Sequence, residues 1–135
     1  MLQKPILIYD GICNLCIRLI RFLEPMNQSS EGGRVMFVPF QKAEEWIARF
    51  NLSPSALQAT LHFIDRDGKV YVRGKAIEKL SEYFPLLRIG GAFFSTELGE
   101  ALYKVVAQNR YEVFGCADEC YVAQNPEKPP ARGVE

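Results

Sequence analysis

The sequence predicts one α/β domain, with a central mixed four-stranded sheet flanked by helices and an extra helix at the C-terminal end. Three observations support this fold class. The chain has 135 residues, which is the size of one domain. Short apolar runs of strand length alternate with stretches in which apolar residues recur at helical spacing. Two of the strand-like runs flank Asp67-Gly68, a signal for an antiparallel hairpin.

The first part of the chain predicts two buried strands joined by a helix. Residues 5–9 and residues 34–39 are nearly continuous apolar runs, as expected for strands that are covered on both faces. Between them, residues 13–27 have helical spacing, and Pro25 is expected to kink or end that helix. The stripe predicted to face the core consists of Cys16, Leu19, Ile20 and Leu23.

Two short helical stretches and a hairpin follow. Residues 41–50 have apolar positions at helical spacing, and Pro54 marks the first position of a short helical turn. The strands predicted at residues 60–65 and 70–73 flank the Asp67-Gly68 turn and are therefore antiparallel to each other. This hairpin supplies the antiparallel part of the mixed sheet.

Two more helices complete the predicted domain. One covers residues 74–84, and the last covers residues 97–109 behind a cap at Ser95 or Thr96. Between them, the apolar residues 86–94 are interpreted either as a helix and loop packed on the core or as an exposed docking patch. The apolar positions of the last helix that we expect to face inward are Leu98, Ala101, Leu102, Val105 and Val106.

The order of these elements is that of the thioredoxin fold. A parallel strand pair joined by a crossover helix precedes an antiparallel hairpin, and helices cover both faces of the sheet. We therefore expect a thioredoxin-like domain over residues 1–122. Residues 123–135, where prolines lie among polar residues, are predicted to be a disordered tail.

The composition excludes several functional classes. The formal net charge is +0, so the chain lacks the basic field that binding to nucleic acid or to anionic lipid requires. The N-terminus has no signal-peptide core and no run reaches transmembrane length, so we expect a cytoplasmic protein without membrane insertion. In that reducing compartment, the 4 cysteines indicate catalysis or metal binding rather than structural disulfides.

The candidate site is the pair Cys13 and Cys16, at the predicted junction of the first strand and the first helix. Two cysteines at this spacing and place are the redox-active arrangement of thioredoxin-like proteins. The free amide groups and the positive dipole end at a helix start stabilise a thiolate and so lower the pKa of a cysteine there. Cys13 is therefore the predicted nucleophile. Cys16, one turn further in and more shielded, is predicted to resolve the mixed disulfide.

Asp10 directly precedes this pair and has two candidate roles. The carboxylate can accept hydrogen bonds from amide groups of the loop or of the helix start, which is a structural role. Alternatively, it can relay a proton to or from a cysteine. The structural role is favoured, because Asp before Gly11 is common turn chemistry.

Residues 9–16, Tyr-Asp-Gly-Ile-Cys-Asn-Leu-Cys, resemble the Asp-Gly-x-Cys-x-Leu-Cys signature of the DCC (Asp-Cys-Cys) family of thiol–disulfide oxidoreductases. Further stretches similar to the family are residues 67–71 with Ala76, and residues 109–111 with residues 114–115 and Cys120. The resemblance runs from about residue 6 to residue 122. It implies a thioredoxin-like fold, with Asp10, Cys13 and Cys16 as the trio that names the family.

The sequence departs from thioredoxins before the third strand. Thioredoxins have a cis-proline there, which faces the cysteine pair and binds the substrate backbone. Residues 57–60 contain no proline, and Thr60 takes the equivalent place. The candidate substrates are therefore a small thiol, one dedicated disulfide-containing protein, or a membrane partner.

The missing cis-proline and a second cysteine pair, Cys116 and Cys120, leave three functions open. In the first, the protein is a thiol–disulfide oxidoreductase of the protein-disulfide reductase type that needs no bound cofactor; the second pair is then a bystander or exchanges electrons with the first. In the second, the protein is a non-catalytic thioredoxin-like binding module. In the third, Cys13, Cys16, Cys116 and Cys120 together hold a structural Zn²⁺.

Overall fold

The computed structural model describes residues 2–28, 33–84, 87–88, 96–117 and 119–123. These residues include a four-stranded sheet in the order β2-β1-β3-β4. The strands are β1 (Ile6–Tyr9), β2 (Met36–Pro39), β3 (His62–Ile64) and β4 (Val70–Val72). β1 is parallel to β2 and antiparallel to β3, and β3 is antiparallel to β4. The predicted α/β fold with a mixed four-stranded sheet of thioredoxin-like type is confirmed.

Helices flank this sheet. They are α1 (Asn14–Gln28), α2 (Glu44–Phe50), α3 (Pro54–Ala59), α4 (Arg73–Ser81) and α5 (Glu97–Phe114). α3 begins at Pro54, as predicted. α5 is the predicted C-terminal helix, and its cap is Thr96, whose hydroxyl accepts a hydrogen bond from the Gly99 amide (3.1 Å). α5 continues to Phe114, beyond the end predicted near residue 109.

β1 lies at the centre of the fold, because it pairs with a strand on each side and all of its residues are buried. Its side chains alternate between the two faces of the sheet. Leu7 and Tyr9 pack in one core cluster, whereas Ile6 and Ile8 pack in the other. Burial on both faces of the sheet explains the continuous apolar run. The chain leaves the sheet after Tyr9, directly before the turn that contains the candidate site.

Pro25 does not end the first helix. α1 passes through Pro25 and continues to Gln28, close to the predicted limit at residue 27, so of the two predicted effects of Pro25 the ending of the helix is wrong. The end of the helix is held by buried Asn27, whose amide oxygen accepts hydrogen bonds from the amides of Arg34 (2.7 Å) and Val35 (3.0 Å). These tertiary bonds offset the one helical hydrogen bond that proline removes.

The helix predicted over residues 41–50 is divided. Phe40–Lys42 forms a 3-10 turn directly after β2, and α2 begins only at Glu44. Ala43 between them is buried and has a φ of −108°, outside the helical range. The division places the Gln41 side chain at the end of β1, where it is hydrogen-bonded to the candidate site.

The apolar stripe of α5 is exposed, so the prediction that it faces inward is wrong. Leu98 has 70% of its surface exposed. The other residues of the stripe, which are exposed as well, are Ala101, Leu102, Val105 and Val106. Helical periodicity identifies an apolar stripe, but it does not identify an element that covers it.

Polar contacts instead attach α5 to the rest of the domain. The Tyr103 hydroxyl accepts hydrogen bonds from the Thr60 hydroxyl (2.9 Å) and from the Leu61 amide (3.0 Å), just before β3. The Glu100 carboxylate accepts one from the Gly74 amide at the start of α4 (2.6 Å). These contacts join the side of α5 that carries Glu100 and Tyr103 to the segment before β3 and to α4.

Two predicted features lie largely outside the described residues. Of the patch at 86–94, only residues 87 and 88 are described, and residues 124–135 of the predicted tail are not. Ala123, which the tail prediction included, is described and buried. In the part of the chain that the structure describes, no helix has the length and apolarity needed to cross a bilayer.

Candidate active site

The turn between β1 and α1 places Cys13 at the start of the helix. The Cys13 amide donates to the Asp10 carbonyl (3.3 Å), which closes a turn directly after β1. The Cys13 carbonyl accepts from the Ile17 amide (2.9 Å), the first hydrogen bond of the helix, so Cys13 is the N-cap residue of α1. Cys16 lies in the first turn of α1. The predicted strand-to-helix junction is therefore present.

Both cysteines of this pair are buried. Cys13 has 0% of its surface exposed and Cys16 has 6%, and both pack in the same core cluster as Leu7 and Tyr9. The expectation that Cys16 is the more shielded of the two is therefore wrong. None of the four cysteines is in a disulfide.

A segment after α5 covers the turn that contains Cys13. We call residues 115–117 and 119–123 the covering segment; it runs antiparallel to the turn that follows β1. Its backbone hydrogen bonds to the turn join Asn14 N to Gly115 O (3.2 Å), Ala117 N to Ile12 O (2.7 Å) and Tyr121 N to Gly11 O (2.8 Å). Cys116 is thereby paired with Cys13 across the two strands, and Cys116 itself is exposed.

Tyr9 anchors the covering segment to the end of β1. Its hydroxyl donates to the Tyr121 carbonyl (2.6 Å) and accepts from the Ala123 amide (2.9 Å). Burial raises the pKa of Tyr9 above its ordinary value, so the phenol keeps the proton that it donates. Gly115 has a φ of +81°, which lets the chain reverse after α5 against Asn14.

Asp10 is buried and is held by the turn that it begins. Its Oδ1 atom accepts hydrogen bonds from the Ile12 amide (3.1 Å) and from the Gln41 side-chain amide (2.8 Å). Gln41 Oε1 in turn accepts from the Gly11 amide (2.9 Å). Sequence reasoning missed Gln41. A signal exists, because Gln41 follows β2, and the carboxyl ends of neighbouring parallel strands lie at the same edge of a sheet.

Cys120 also lies against this turn, next to Gly11 and Gln41. Its sulfur donates weakly to Gln41 Oε1 (3.7 Å) and leaves no room for a side chain at Gly11. Burial raises the pKa of the Cys120 thiol, the Asp10 carboxylate raises it further, and Lys42 partly opposes both. Cys120 is therefore kept in its thiol form as a packing neighbour of the turn.

We expect Gly11→Ala to lower the free energy of unfolding by about 1–3 kcal/mol, the usual cost of overpacking a filled site. A Cβ atom there would overlap the Cys120 sulfur and lie 3.0 Å from both Gln41 Oε1 and Pro39 Cβ. Urea denaturation followed by circular dichroism measures the change. The matched control is Gly11→Ala in a Cys120→Ala background, which should recover part of the loss. Equal losses in both backgrounds would contradict an overlap with the sulfur.

A comparison with known protein families also identifies this chain as a thiol–disulfide oxidoreductase relative. The model of the DCC1-like thiol-disulfide oxidoreductase family matches residues 7–116. The chain belongs to this family. The match begins in β1, includes both cysteines of the first pair and ends at Cys116 of the covering segment.

Two relatives support the assignment to the DCC1-like family. A DCC family protein named as chloroplastic, from Arabidopsis thaliana, is 26% identical over 122 residues, which cover 87% of this chain and 69% of the relative. YuxK of Bacillus subtilis, itself named an uncharacterized protein, is 27% identical over 119 residues, which cover 85% and 84%. No solved structure matches the chain significantly.

The four cysteines of this DCC1-like protein do not form a metal-binding group. Among the described residues, which include all of the cysteines, no three His, Cys, Asp or Glu side chains are placed to hold a metal ion. The geometry therefore gives no support to the zinc-stabilised alternative that uses Cys13, Cys16, Cys116 and Cys120. His62 is buried in β3, and burial lowers its pKa, as suits a packed neutral imidazole.

Thr60, predicted to take the place of the thioredoxin cis-proline, lies two residues before the start of β3. Its backbone is extended (φ −157°, ψ 162°), and no described peptide bond is cis. The Thr60 hydroxyl is bonded to Tyr103 of α5. In this chain, the Thr60 hydroxyl next to the third strand is therefore hydrogen-bonded to α5.

An apolar cavity of about 340 Å³ lies beside the second cysteine of the pair. Its wall includes Cys16, Leu15 and Leu19 of α1, and Leu102 and Val106 from the exposed stripe of α5. The cavity gives Cys16 an apolar side, whereas Cys13 faces the covering segment.

Proposed function

We propose that this protein is a thiol–disulfide oxidoreductase of the protein-disulfide reductase type, with Cys13 as nucleophile and Cys16 as resolving thiol. The observation that carries the proposal is the position of Cys13 at the N-cap of α1, with Cys16 in the first turn. Amide groups in that turn and the positive end of the helix dipole stabilise a thiolate more than a thiol. Because the thiolate is the form that attacks disulfides, this position suits nucleophilic attack.

The proposed reaction moves two electrons from the cysteine pair to the substrate. The Cys13 thiolate attacks one sulfur of a disulfide, the other sulfur leaves as a thiolate that takes up a proton, and a mixed disulfide forms on Cys13. The Cys16 thiolate then attacks the Cys13 sulfur and displaces the second substrate thiol. The pair ends as a disulfide, which an external thiol reductant returns to the dithiol form. No bound cofactor takes part.

Asp10 has a positioning role in this scheme. Its carboxylate is held by the Ile12 amide and by Gln41, and these hydrogen bonds fix the turn that presents Cys13 to the helix. They support the structural role over the proton relay, because the oxygen that accepts them is already engaged with the loop.

The proposed substrate is a disulfide-containing protein or a small thiol compound in its disulfide form. The net charge of +0 argues against nucleic acid as a partner. We place the activity in the cytoplasm, where thiol reductants keep such a pair reduced. The relative from Arabidopsis thaliana is named as chloroplastic.

One observation favours a second candidate function. Cys13 has no exposed surface, and a covered nucleophile is what a non-catalytic thioredoxin-like binding module would have. Such a module would use the shape of the fold and would not cycle through a disulfide. The two candidates therefore differ in whether Cys13 and Cys16 form a disulfide when substrate is reduced.

Stoichiometric oxidation and peptide mapping test the proposed function. The reduced protein is treated with one equivalent of glutathione disulfide, the remaining thiols are alkylated, and linked peptides are identified by mass spectrometry. We expect a Cys13–Cys16 disulfide as the end product, with Cys116 and Cys120 alkylated and both glutathione thiols released. An end product without the Cys13–Cys16 link would contradict the proposal and favour the binding module.

A further inference from the structure

We propose that Cys116 is the entry thiol of the enzyme: it reacts first with the substrate disulfide and passes it to Cys13 through a Cys13–Cys116 disulfide. This inference rests on the proposed function and adds a third cysteine to it. The reaction then has an exposed step on Cys116 and a buried step between Cys13 and Cys16.

The register of the covering segment carries the proposal. The bonds from Ala117 N to Ile12 O and from Asn14 N to Gly115 O lie on either side of the two cysteines. Cys13 and Cys116 thus form an isolated antiparallel bridge of the non-hydrogen-bonded class, in which opposed side chains share a face. The Cα atoms in such pairs are about 4.5 Å apart. Disulfides span Cα separations of about 4.4–6.8 Å, so the usual spacing of such a pair suits a disulfide bond.

Cys13 and Cys116 differ in exposure, and this difference indicates which of them meets the substrate first. Cys13 has no surface accessible to a dissolved disulfide, whereas Cys116, directly opposite, is exposed. A substrate therefore meets Cys116 first. Since the two residues are opposed across one ladder, the buried nucleophile can attack the bond that forms on Cys116 without unfolding of the site.

The covering segment is fixed on both sides of Cys116. On one side, Gly115 is bonded to Asn14. On the other, Tyr121 donates its amide to the Gly11 carbonyl, and the Arg21 guanidinium lies 5.1 Å from the centre of its ring. These contacts hold the register that opposes the two cysteines.

Cys120 does not share this arrangement. It belongs to the same segment, but its sulfur is directed to Gln41 Oε1 and to the space above Gly11. It is also paired with no residue of the cysteine turn in the ladder that joins Cys13 to Cys116. Cys120 is therefore the matched control for a cysteine that lies near the site without taking part.

The steps balance in atoms and electrons. The Cys116 thiolate attacks a disulfide RS–SR, one RS⁻ leaves and is protonated, and Cys116–S–SR forms. The Cys13 thiolate attacks the Cys116 sulfur and the second RS⁻ leaves, which gives the Cys13–Cys116 disulfide. The Cys16 thiolate then attacks the Cys13 sulfur and releases Cys116 as a thiolate. The net change is the oxidation of Cys13 and Cys16 to a disulfide and the reduction of RS–SR to two RSH.

Trapping the intermediate tests the relay. In Cys16→Ser the last step is blocked, so treatment with glutathione disulfide should accumulate a Cys13–Cys116 disulfide, identified by mapping of non-reduced peptides. The Cys16→Ser/Cys120→Ser double variant should give the same link. If Cys16→Ser instead accumulates glutathione on Cys13 while Cys116 is still alkylated, the relay is wrong.

Turnover provides the second measurement. We expect Cys116→Ser to reduce glutathione disulfide at least about tenfold more slowly than the wild type, since Cys13 must then wait for local opening of the covering segment. Cys120→Ser should keep the wild-type rate. A wild-type rate in Cys116→Ser, together with a Cys13–Cys16 disulfide, would overturn the relay and leave the proposed function intact. Absence of that disulfide from the wild-type protein would overturn both.

Discussion

The Cys13→Ser variant is expected to lose disulfide reductase activity, with turnover lower by at least about a thousandfold, because serine forms no thiolate and no disulfide. The replacement is nearly isosteric. The N-cap at residue 13 is preserved, since serine is a favoured N-cap residue. The Ile17 amide can still donate to the backbone carbonyl of residue 13. The loss is therefore chemical and not structural. Turnover of glutathione disulfide coupled to an external dithiol reductant measures it, with circular dichroism as the check on folding.

Two variants show whether the loss in Cys13→Ser is specific. Cys120→Ser removes a thiol from the same neighbourhood and should turn over substrate at the wild-type rate. Cys16→Ser cannot form the Cys13–Cys16 disulfide, so it should stop at an earlier disulfide of Cys13, with a burst of released thiol but no steady turnover. Steady turnover in Cys13→Ser near the wild-type rate would show that another thiol is the nucleophile and would remove the basis of the proposed function.

The Tyr9→Phe variant is expected to loosen the covering segment and expose Cys13. The Tyr9 hydroxyl bonds the Tyr121 carbonyl and the Ala123 amide, so phenylalanine leaves two backbone groups without this partner. A buried group left unsatisfied costs about 1–3 kcal/mol. Because about 1.4 kcal/mol is a factor of ten in an equilibrium constant, alkylation of Cys13 through local opening should accelerate about tenfold or more. Hydrogen exchange of the Ala123 amide and rates of iodoacetamide labelling measure the two effects.

Tyr121→Phe is the matched control for Tyr9→Phe. It removes the hydroxyl that donates to Glu24 but keeps the backbone bonds of the covering segment, so Cys13 should be labelled at nearly the wild-type rate. Equal acceleration in both variants would mean that any loss of a hydroxyl opens the segment. Unchanged labelling in Tyr9→Phe would contradict the anchoring role of Tyr9.

Alkaline pH should narrow the difference in stability between the wild type and Tyr9→Phe. Burial raises the pKa of Tyr9 in the folded state. The corresponding stabilisation is fully present below the unfolded value of about 10 and is lost as pH rises through the folded value. Since phenylalanine does not titrate, the gap between the two free energies of unfolding should shrink above pH about 10. A constant gap across that range would contradict it.

The local elements of the fold follow from the sequence. The apolar run before Tyr9 predicts β1, the change to helical spacing predicts α1, and Asp67-Gly68 predicts the hairpin of β3 and β4. Each of these signals is contained within a few neighbouring residues, where backbone propensity and burial act together. The limits of elements are less well determined. Pro25 lies inside α1, and Asn27, beyond it, makes tertiary bonds that no local pattern contains.

The two faces of α5 illustrate a different limit. The apolar spacing correctly predicts a helix, but the side that meets the domain is chosen by Tyr103 and Glu100, which reach backbone groups next to β3 and α4. An apolar stripe is covered only where another element is available to pack on it. Within the described residues, Leu98 therefore remains exposed although it has the pattern of a core residue.

By itself, the sequence determined the α/β class, the strand-to-helix junction and the place of Cys13 and Cys16 at that junction. These features depend on residues that are neighbours in the chain, so the local sequence is sufficient to predict them. Only the tertiary structure decided that Gln41 holds Asp10, that Cys13 is buried, and that Cys116 lies opposite it. These contacts join segments that are far apart in sequence, and the packing of the whole domain, not any local pattern, selects their register.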